Sequence, residues 1–117
     1  MRVLNGEQSL VRIFFGEHDR WHHQPLSTAL IERLRKEGFA GATMLHGVAG
    51  FGGRSVLHSA HLLELSEDIP ILIEVVDTDE EVQRLLPIVE EMVHEGLVTI
   101  EKVRVIKYAP RPKPGQP

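Results

Sequence analysis

The most informative segment of the chain reads Ile69-Pro70-Ile71-Leu72-Ile73-Glu74-Val75-Val76. Its β-branched side chains favour an extended strand, because they pack well on a pleated surface and lose freedom in a helix. Immediately afterwards, Thr78 and Glu81 have the spacing of a capping box, in which the threonine oxygen accepts a hydrogen bond from the third helical N–H. The sequence therefore predicts a buried strand that leads directly into a helix.

The other elements are predicted from the same two patterns. Apolar residues at helical spacing follow Pro25 and stop at Gly38, while the second helix stops at Gly96. The remaining strands are predicted at residues 10–15, 42–48 and 97–108. The order βαββαβ predicts an α+β protein with a four-stranded antiparallel sheet and both helices on one face. The domain is predicted to span residues 8–108, and the proline-rich residues 109–117 are predicted to form a disordered tail.

The predicted sheet is apolar on both of its faces. Along its third strand in chain order, Ile71, Ile73 and Val75 alternate with Leu72 and Val76, and alternate residues of a strand point to opposite faces. Two helices cover only one face, and each aliphatic side chain left in water would forfeit about 1.5–3 kcal/mol. Another subunit is therefore expected to cover the second face, so the sequence predicts an oligomer.

The composition limits the class of protein. The chain has 117 residues, which is enough for one hydrophobic core, and it has no cysteine and a net charge of −4. The negative charge argues against nucleic-acid binding, and no apolar run approaches the roughly 20 residues that insertion into a membrane requires. Residues 1–7 lack the pattern of a signal peptide, so a cytoplasmic location is expected.

A polar cluster separates the first strand from the first helix and reads Gly16-Glu17-His18-Asp19-Arg20-Trp21-His22-His23. In one interpretation it forms the lip of an anion or nucleotide pocket, in which Arg20 contacts phosphate and Trp21 offers a flat aromatic face. In the other interpretation it is a polar network that holds a loop in place, with Trp21 packed in an interface. The residues themselves leave both interpretations open.

A glycine-rich segment follows the second predicted strand and reads Gly47-Val48-Ala49-Gly50-Phe51-Gly52-Gly53-Arg54. Glycines let backbone N–H groups approach a phosphate closely, and Arg54 would add a positive charge. The segment lacks the Gly-Lys-Ser/Thr of a Walker loop, and a plain hairpin connection would have a similar composition. It is a candidate phosphate-binding loop and a candidate connection in equal measure.

Metal binding and catalysis have weaker support. A metal site needs three or four convergent ligands, and the histidine spacing offers only His58 and His61 as weak candidates. For catalysis, His18 beside Asp19 or Glu17 could act as a general base, but no nucleophile is placed to use it. The chain is therefore expected not to be an enzyme and to require no cofactor.

Several segments resemble one family in combination. They are Gly16-Glu17-His18-Asp19-Arg20-Trp21-His22, Leu65-Ser66-Glu67-Asp68-Ile69-Pro70, Ile73-Glu74-Val75-Val76-Asp77 and Glu95-Gly96-Leu97-Val98-Thr99. In these motifs the chain is similar, over residues 8 to about 108, to the PII-like proteins of domain-of-unknown-function family 190. The resemblance implies a ferredoxin-like, PII-like sandwich.

More distantly, the chain resembles the PII signalling proteins, which are trimers that bind adenine nucleotides in clefts between subunits. Residues 38–43 look like the PII segment that enters the second strand, and residues 50–52 look like the Gly-Phe-Gly at the base of the PII signalling loop. Residues 105–108 resemble the basic closing strand. Where PII proteins continue with Arg-Gln, this chain has Gly53-Arg54, so sensing of 2-oxoglutarate is not implied.

These resemblances imply a regulatory protein that binds AMP, ADP or ATP between the subunits of a homotrimer. The implied nucleotide-binding residues are Gly41, Ala42, Thr43, Gly50, Phe51, Gly52, Gly53, Arg54, Glu17, His18, Arg20, Glu74, Arg104 and Lys107. A change in the glycine-rich loop would alter the surface shown to an unidentified protein partner, for which a membrane transporter is one candidate. The alternatives are a trimeric CutA-like protein that binds divalent metal through histidines, and a small ferredoxin-like enzyme that uses His18.

Overall fold

A computed structural model of the chain describes residues 4–51 and 69–112. Its elements, in chain order, are β1 (Gly6–Gly16), β2 (Arg20–Trp21), β3 (Gln24–Pro25), α1 (Leu26–Lys36), β4 (Thr43–His46), β5 (Pro70–Asp77), α2 (Asp79–Met92) and β6 (Leu97–Val105). The four predicted strands correspond to β1, β4, β5 and β6, and the two predicted helices correspond to α1 and α2.

The main sheet has the strand order β4-β5-β1-β6, and every neighbouring pair is antiparallel. Its two central strands pair from Ser9 opposite Asp77 to Gly16 opposite Pro70. The predicted α+β, ferredoxin-like fold is thereby confirmed. Neither α1 nor α2, the helices of the described part of the chain, is long and apolar enough to cross a membrane.

The hydrophobic core lies between the sheet and the two helices. It is built from the odd-numbered residues of β1 and β5, such as Ile13 and Ile73, together with helix residues such as Leu30 and Leu85, all of which are completely buried. Alternation along a strand sends these odd-numbered side chains to one side of the sheet. The predicted stripe of α2 is confirmed at Val82, which is also completely buried.

The other side of the sheet, which we call the open face, carries the even-numbered residues of β1 and β5. Phe14 lies directly opposite Leu72 in the strand register, and both side chains are half-buried, as is Val76. Leu10 on the same face is buried. These residues make the open face apolar, as the sequence predicts for both sides of the sheet. Helices α1 and α2 both pack against the opposite face, so neither of them covers it.

Three strand boundaries differ from the prediction. Strand β1 begins at Gly6 rather than residue 10, because its polar first residues still pair with β6. Strand β4 is shorter than residues 42–48 and ends at His46, after which the Gly47 N–H donates to the Pro70 carbonyl at 2.8 Å. Strand β6 ends at Val105, three residues early. Residues 109–112 lie outside the strands and helices, and the disordered tail stays a prediction.

Two predicted helix signals appear in the structure, while α2 ends at Met92, four residues before the predicted stop at Gly96. Helix α1 ends in a Schellman motif, in which Gly38 at φ 83° donates to the Arg35 carbonyl and Phe39 donates to the Leu34 carbonyl. At the start of α2, Thr78 Oγ1 accepts from the Glu81 N–H at 3.2 Å, as the capping box predicts. The Thr78 N–H donates to Asp77 Oδ1 at 2.8 Å.

Candidate ligand-binding site

The predicted site residues lie at both ends of the sheet. We call the end formed by Gly16, His46 and Pro70 the upper end, and the end formed by Gly6, Thr43 and Asp77 the lower end. The upper end has Glu17, His18, Arg20, Gly50 and Phe51, and the lower end has Gly41, Ala42, Thr43, Arg104 and Lys107. The predicted residues Gly52, Gly53, Arg54, His58 and His61 lie outside the described part of the chain.

At the upper end, Glu17 connects three segments. Its backbone N–H donates to the Ile69 carbonyl at 2.8 Å, which fixes the residue beside the start of β5. Its carboxylate lies 2.5 Å from His46 Nε2 at the end of β4 and 3.4 Å from His18 Nε2. All three side chains are partly or largely exposed, so this cluster is best described as a polar tie between β1, β4 and β5.

The polar cluster before α1 folds into a two-stranded hairpin, β2–β3, that the sequence did not predict. Its two tip residues, His22 and His23, have φ values of 45° and 71°, as a type I′ turn requires. The Arg20 guanidinium donates to the His23 carbonyl at 2.7 Å, across the hairpin. Trp21 is half-buried against the core and stacks on His22, with ring centroids 4.2 Å apart. For Trp21 and Arg20 the geometry favours the interpretation of a polar network around a packed ring.

At the lower end, a chain of contacts fixes the connection between α1 and β4. The Arg84 guanidinium lies 4.2 Å from the centroid of the Phe39 ring and donates to the Glu37 carbonyl at 2.9 Å. The Glu37 carboxylate also accepts from Arg33 Nε at 2.8 Å, and this hydrogen bond lowers the pKa of Glu37 below its usual value. Residues 41–43 follow directly, with Gly41 and Thr43 exposed.

The lower-end candidates Thr43 and Arg104 stand on opposite edges of the sheet. Strands β4 and β6 are separated by β5 and β1, so at about 4.8 Å per strand they lie about 14 Å apart. The two residues also point to opposite faces. Thr43 pairs with Glu74 on the open face, while Arg104 pairs with Glu7 on the side of the helices. One chain therefore cannot direct both side chains at the same small ligand.

The structure does bring Thr43 and Glu74 together on the open face. Glu74 lies opposite both Thr43 and Arg12, and its carboxylate accepts from Arg12 Nε at 3.0 Å. Arg12 Nη1 also donates to the Glu101 carboxylate. The hydrogen bond to Glu74 is the main cause that raises the pKa of Arg12 above its usual value. The predicted ligand residue Glu74 is thus part of an ion triad, Arg12–Glu74–Glu101.

Metal ligation finds no support in the geometry of residues 4–51 and 69–112. In these ranges no three His, Asp or Glu side chains come close enough together to hold a metal ion. The tie between Glu17, His18 and His46 does not form such a group, although its carboxylate contacts both imidazoles. The metal candidates His58 and His61 stay predictions, since they are outside these ranges.

Three residues that make contacts around the candidate site were not among the site residues predicted from the sequence. They are Arg12, Asp77 and Arg84. A sequence signal existed for Arg12, because a lone charge within an apolar strand implies a partner. No comparable signal existed for Arg84, whose contacts with Phe39 and Glu37 span more than forty residues of chain.

With the fold and these contacts described, comparison with known proteins defines the class. The solved structure of a PII-like signalling protein from Thermus thermophilus superposes with a TM-score of 0.59 at 20% identity, over 89% of this chain and 94% of the other. The structure of CPII from Thiomonas intermedia K12, bound to ADP, AMP and acetate, superposes with a TM-score of 0.62 at 18% identity, over 87% and 91%. The chain therefore has the PII-like fold.

The family follows from the sequence comparisons. The model of the family DUF190, described as "Uncharacterized ACR", matches residues 8–105. A UPF0166 protein of Aquifex aeolicus (strain VF5) is 33% identical over 106 residues, which are 91% of this chain and 98% of that protein. The chain belongs to the DUF190 family, and the resemblance seen in its sequence motifs is confirmed.

Proposed function

We propose that the chain is a PII-like regulatory protein that binds an adenine nucleotide, AMP, ADP or ATP, in clefts between the subunits of a homotrimer. One wall of each cleft consists of residues 41–43 and Glu74 of one subunit. The other wall consists of Arg104 and Lys107 of the next subunit, whose positive charges meet the phosphates. The upper-end residues Glu17, His18, Arg20, Gly50 and Phe51 are secondary candidates for the same ligand.

This proposal rests on one observation. Thr43 and Arg104 lie on opposite edges of the main sheet and point to its opposite faces. A ligand that uses both residues has to lie between two chains. A closed ring of subunits provides such clefts, because each subunit presents one edge to each of its two neighbours. Arg104 and Lys107 are exposed, and the described residues after Glu101 include no acid, so this edge suits an anionic ligand.

The solved relatives support the choice of ligand class. CPII, which shares the fold, was solved bound to ADP and AMP. Segment 41–43, in which Gly41 and Thr43 are exposed, occupies the position at which the sequence resembles the PII entry into the second strand. An adenine base beside Thr43 and phosphates beside Arg104 of the neighbouring subunit would use both features.

The open face supports the oligomer and the regulatory role. Phe14, Leu72 and Val76 are only half-buried there, and packing this face against other subunits would bury the remaining apolar surface. Nucleotide binding between subunits would then change the surface offered to a protein partner in the cytoplasm, with a membrane transporter as one candidate. Such a switch requires the ligand to favour one of two states of the protein.

Mixed trimers test whether the site is shared between chains. Thr43→Glu and Arg104→Glu are each expected to abolish binding of AMP and ADP in calorimetric titrations, because each variant removes one wall from every cleft. Trimers formed from both variants together are expected to regain binding in about a quarter of their clefts, where Thr43 of one subunit faces Arg104 of another. Arg35→Glu, an exposed charge reversal on α1, is the control and should bind like the unmodified protein.

Three negative results of this test would each reject a different part of the proposal. If the unmodified protein binds none of the three adenine nucleotides, the proposed function is wrong. If the two single variants bind normally, Thr43 and Arg104 are not in the site. If both variants lose binding and the mixture regains none, the site lies within one chain.

A further inference from the structure

Asp77, the last residue of β5, is an aspartate with no exposed surface. Its two carboxylate oxygens accept from two different parts of the chain. Oδ1 accepts from the N–H of Thr78, the residue that caps α2, at 2.8 Å. Oδ2 accepts from the N–H of Ala40, which lies 37 residues earlier in the connection between α1 and β4, at 2.9 Å.

The chemistry of this contact requires a carboxylate. Two N–H donors approach the side chain, one at each oxygen, and a carboxylate accepts at both. Asparagine has the same shape but only one acceptor atom, so its NH₂ group would face one of the donors. A buried donor without an acceptor is costly, which makes Asp77→Asn a specific way to break the contact while the volume is kept.

The contact with Ala40 lies immediately before the proposed ligand segment. Upstream of Ala40, the chain is fixed by the Schellman motif at Gly38 and by Arg84, which packs on Phe39 and donates to the Glu37 carbonyl. Downstream, Gly41 is exposed, and the next fixed point is Thr43, which pairs with Glu74 on β5. Residues 41–42 are therefore held at one end by the hydrogen bond from Ala40 to Asp77 and at the other end by the pairing of Thr43 with Glu74.

We infer that Asp77 is a positioning residue for the nucleotide site, which it serves through the backbone of Ala40 without touching the ligand. The inference rests on the proposed function, since it assigns residues 41–43 to the ligand. The same carboxylate holds Thr78, the capping residue of α2, so the contact also fixes the cleft wall relative to that helix. Preorganised segments of this kind bind more tightly because less freedom is lost on binding.

The test compares Asp77→Asn with Val82→Ala in the full chain. Val82 is also completely buried, on the core side of α2, and its truncation lowers stability without removing the hydrogen bond from Ala40 to Asp77. Hydrogen exchange without ligand is expected to be at least about tenfold faster at residues 40–43 in Asp77→Asn than in Val82→Ala. Calorimetric titration with AMP and ADP is expected to show affinity about tenfold lower in Asp77→Asn, equivalent to about 1.4 kcal/mol, and near that of the unmodified protein in Val82→Ala.

Each result has one meaning. Unchanged exchange at residues 40–43 in Asp77→Asn would show that the carboxylate does not hold the segment, and the inference would be wrong. Faster exchange with nucleotide affinity equal to that of Val82→Ala would show that the segment is held but that its position does not matter for the ligand, which also overturns the inference. Absence of nucleotide binding by the unmodified protein would reject the proposed function itself, and with it the ligand role of Asp77.

Discussion

Replacing Leu72 with glutamate is expected to convert the proposed trimer into folded monomers. Leu72 lies at the centre of the open face, paired with Phe14 on β1 and with Leu45 on β4. Leu72 is already half-buried in the single subunit, so losing the rest of its burial costs about half of the roughly 1.5–3 kcal/mol for full burial, or about 2–5 kcal/mol in a trimer. The new carboxylate adds a further cost, because it has no partner in a packed interface.

Sedimentation velocity over a range of protein concentrations measures this result, and circular dichroism shows whether the subunit stays folded. Thr28→Glu introduces the same charge at an exposed position on α1 and should leave the mass unchanged. If Leu72→Glu sediments like the unmodified protein, the open face is not the contact between subunits, and the shared clefts lose their physical basis.

Replacing Arg12 with methionine is expected to weaken assembly almost as strongly. The substitution leaves the Glu74 and Glu101 carboxylates together on the open face without their shared cation. Packing another subunit over them would then bury two like charges without compensation, which is far less favourable than burying the intact triad. The subunit itself should keep its fold, because Arg12 lies on the face away from the core.

The triple variant Arg12→Met, Glu74→Gln, Glu101→Gln separates the loss of Arg12 from the exposure of the two acids. It removes all three charges, and it is expected to assemble at least as well as the unmodified protein in the same sedimentation measurement. A triple variant as weak as Arg12→Met alone would show that the arginine makes an attractive contact of its own with the neighbouring subunit.

The fold was predictable because its signals are local. Period-two alternation in β5, the capping threonine Thr78 and the terminal glycine Gly38 each depend on neighbouring residues, and each appears in the structure. The hairpin β2–β3 was missed because its tip carries two histidines instead of the Asn-Gly that usually marks a type I′ turn.

The site was less predictable because its contacts are distant in sequence. The Asp77–Ala40 hydrogen bond joins residues that no pattern connects, and Arg84 contacts Phe39 across two elements. Glu74 was predicted as a ligand residue from family resemblance, but only the strand register shows it between Thr43 and Arg12. The opposite directions of Thr43 and Arg104 likewise depend on the register, which sequence alone does not fix.

The tip of the β2–β3 hairpin has a consequence for the stability of this chain. His22 and His23 both adopt left-handed backbone conformations, which cost a residue with a Cβ atom roughly 1–2 kcal/mol each. Glycine would adopt them freely, so the chain is less stable than its architecture allows. Glycine in place of either histidine would therefore relieve the backbone at the tip, at the cost of the ring that His22 stacks on Trp21 in the first case.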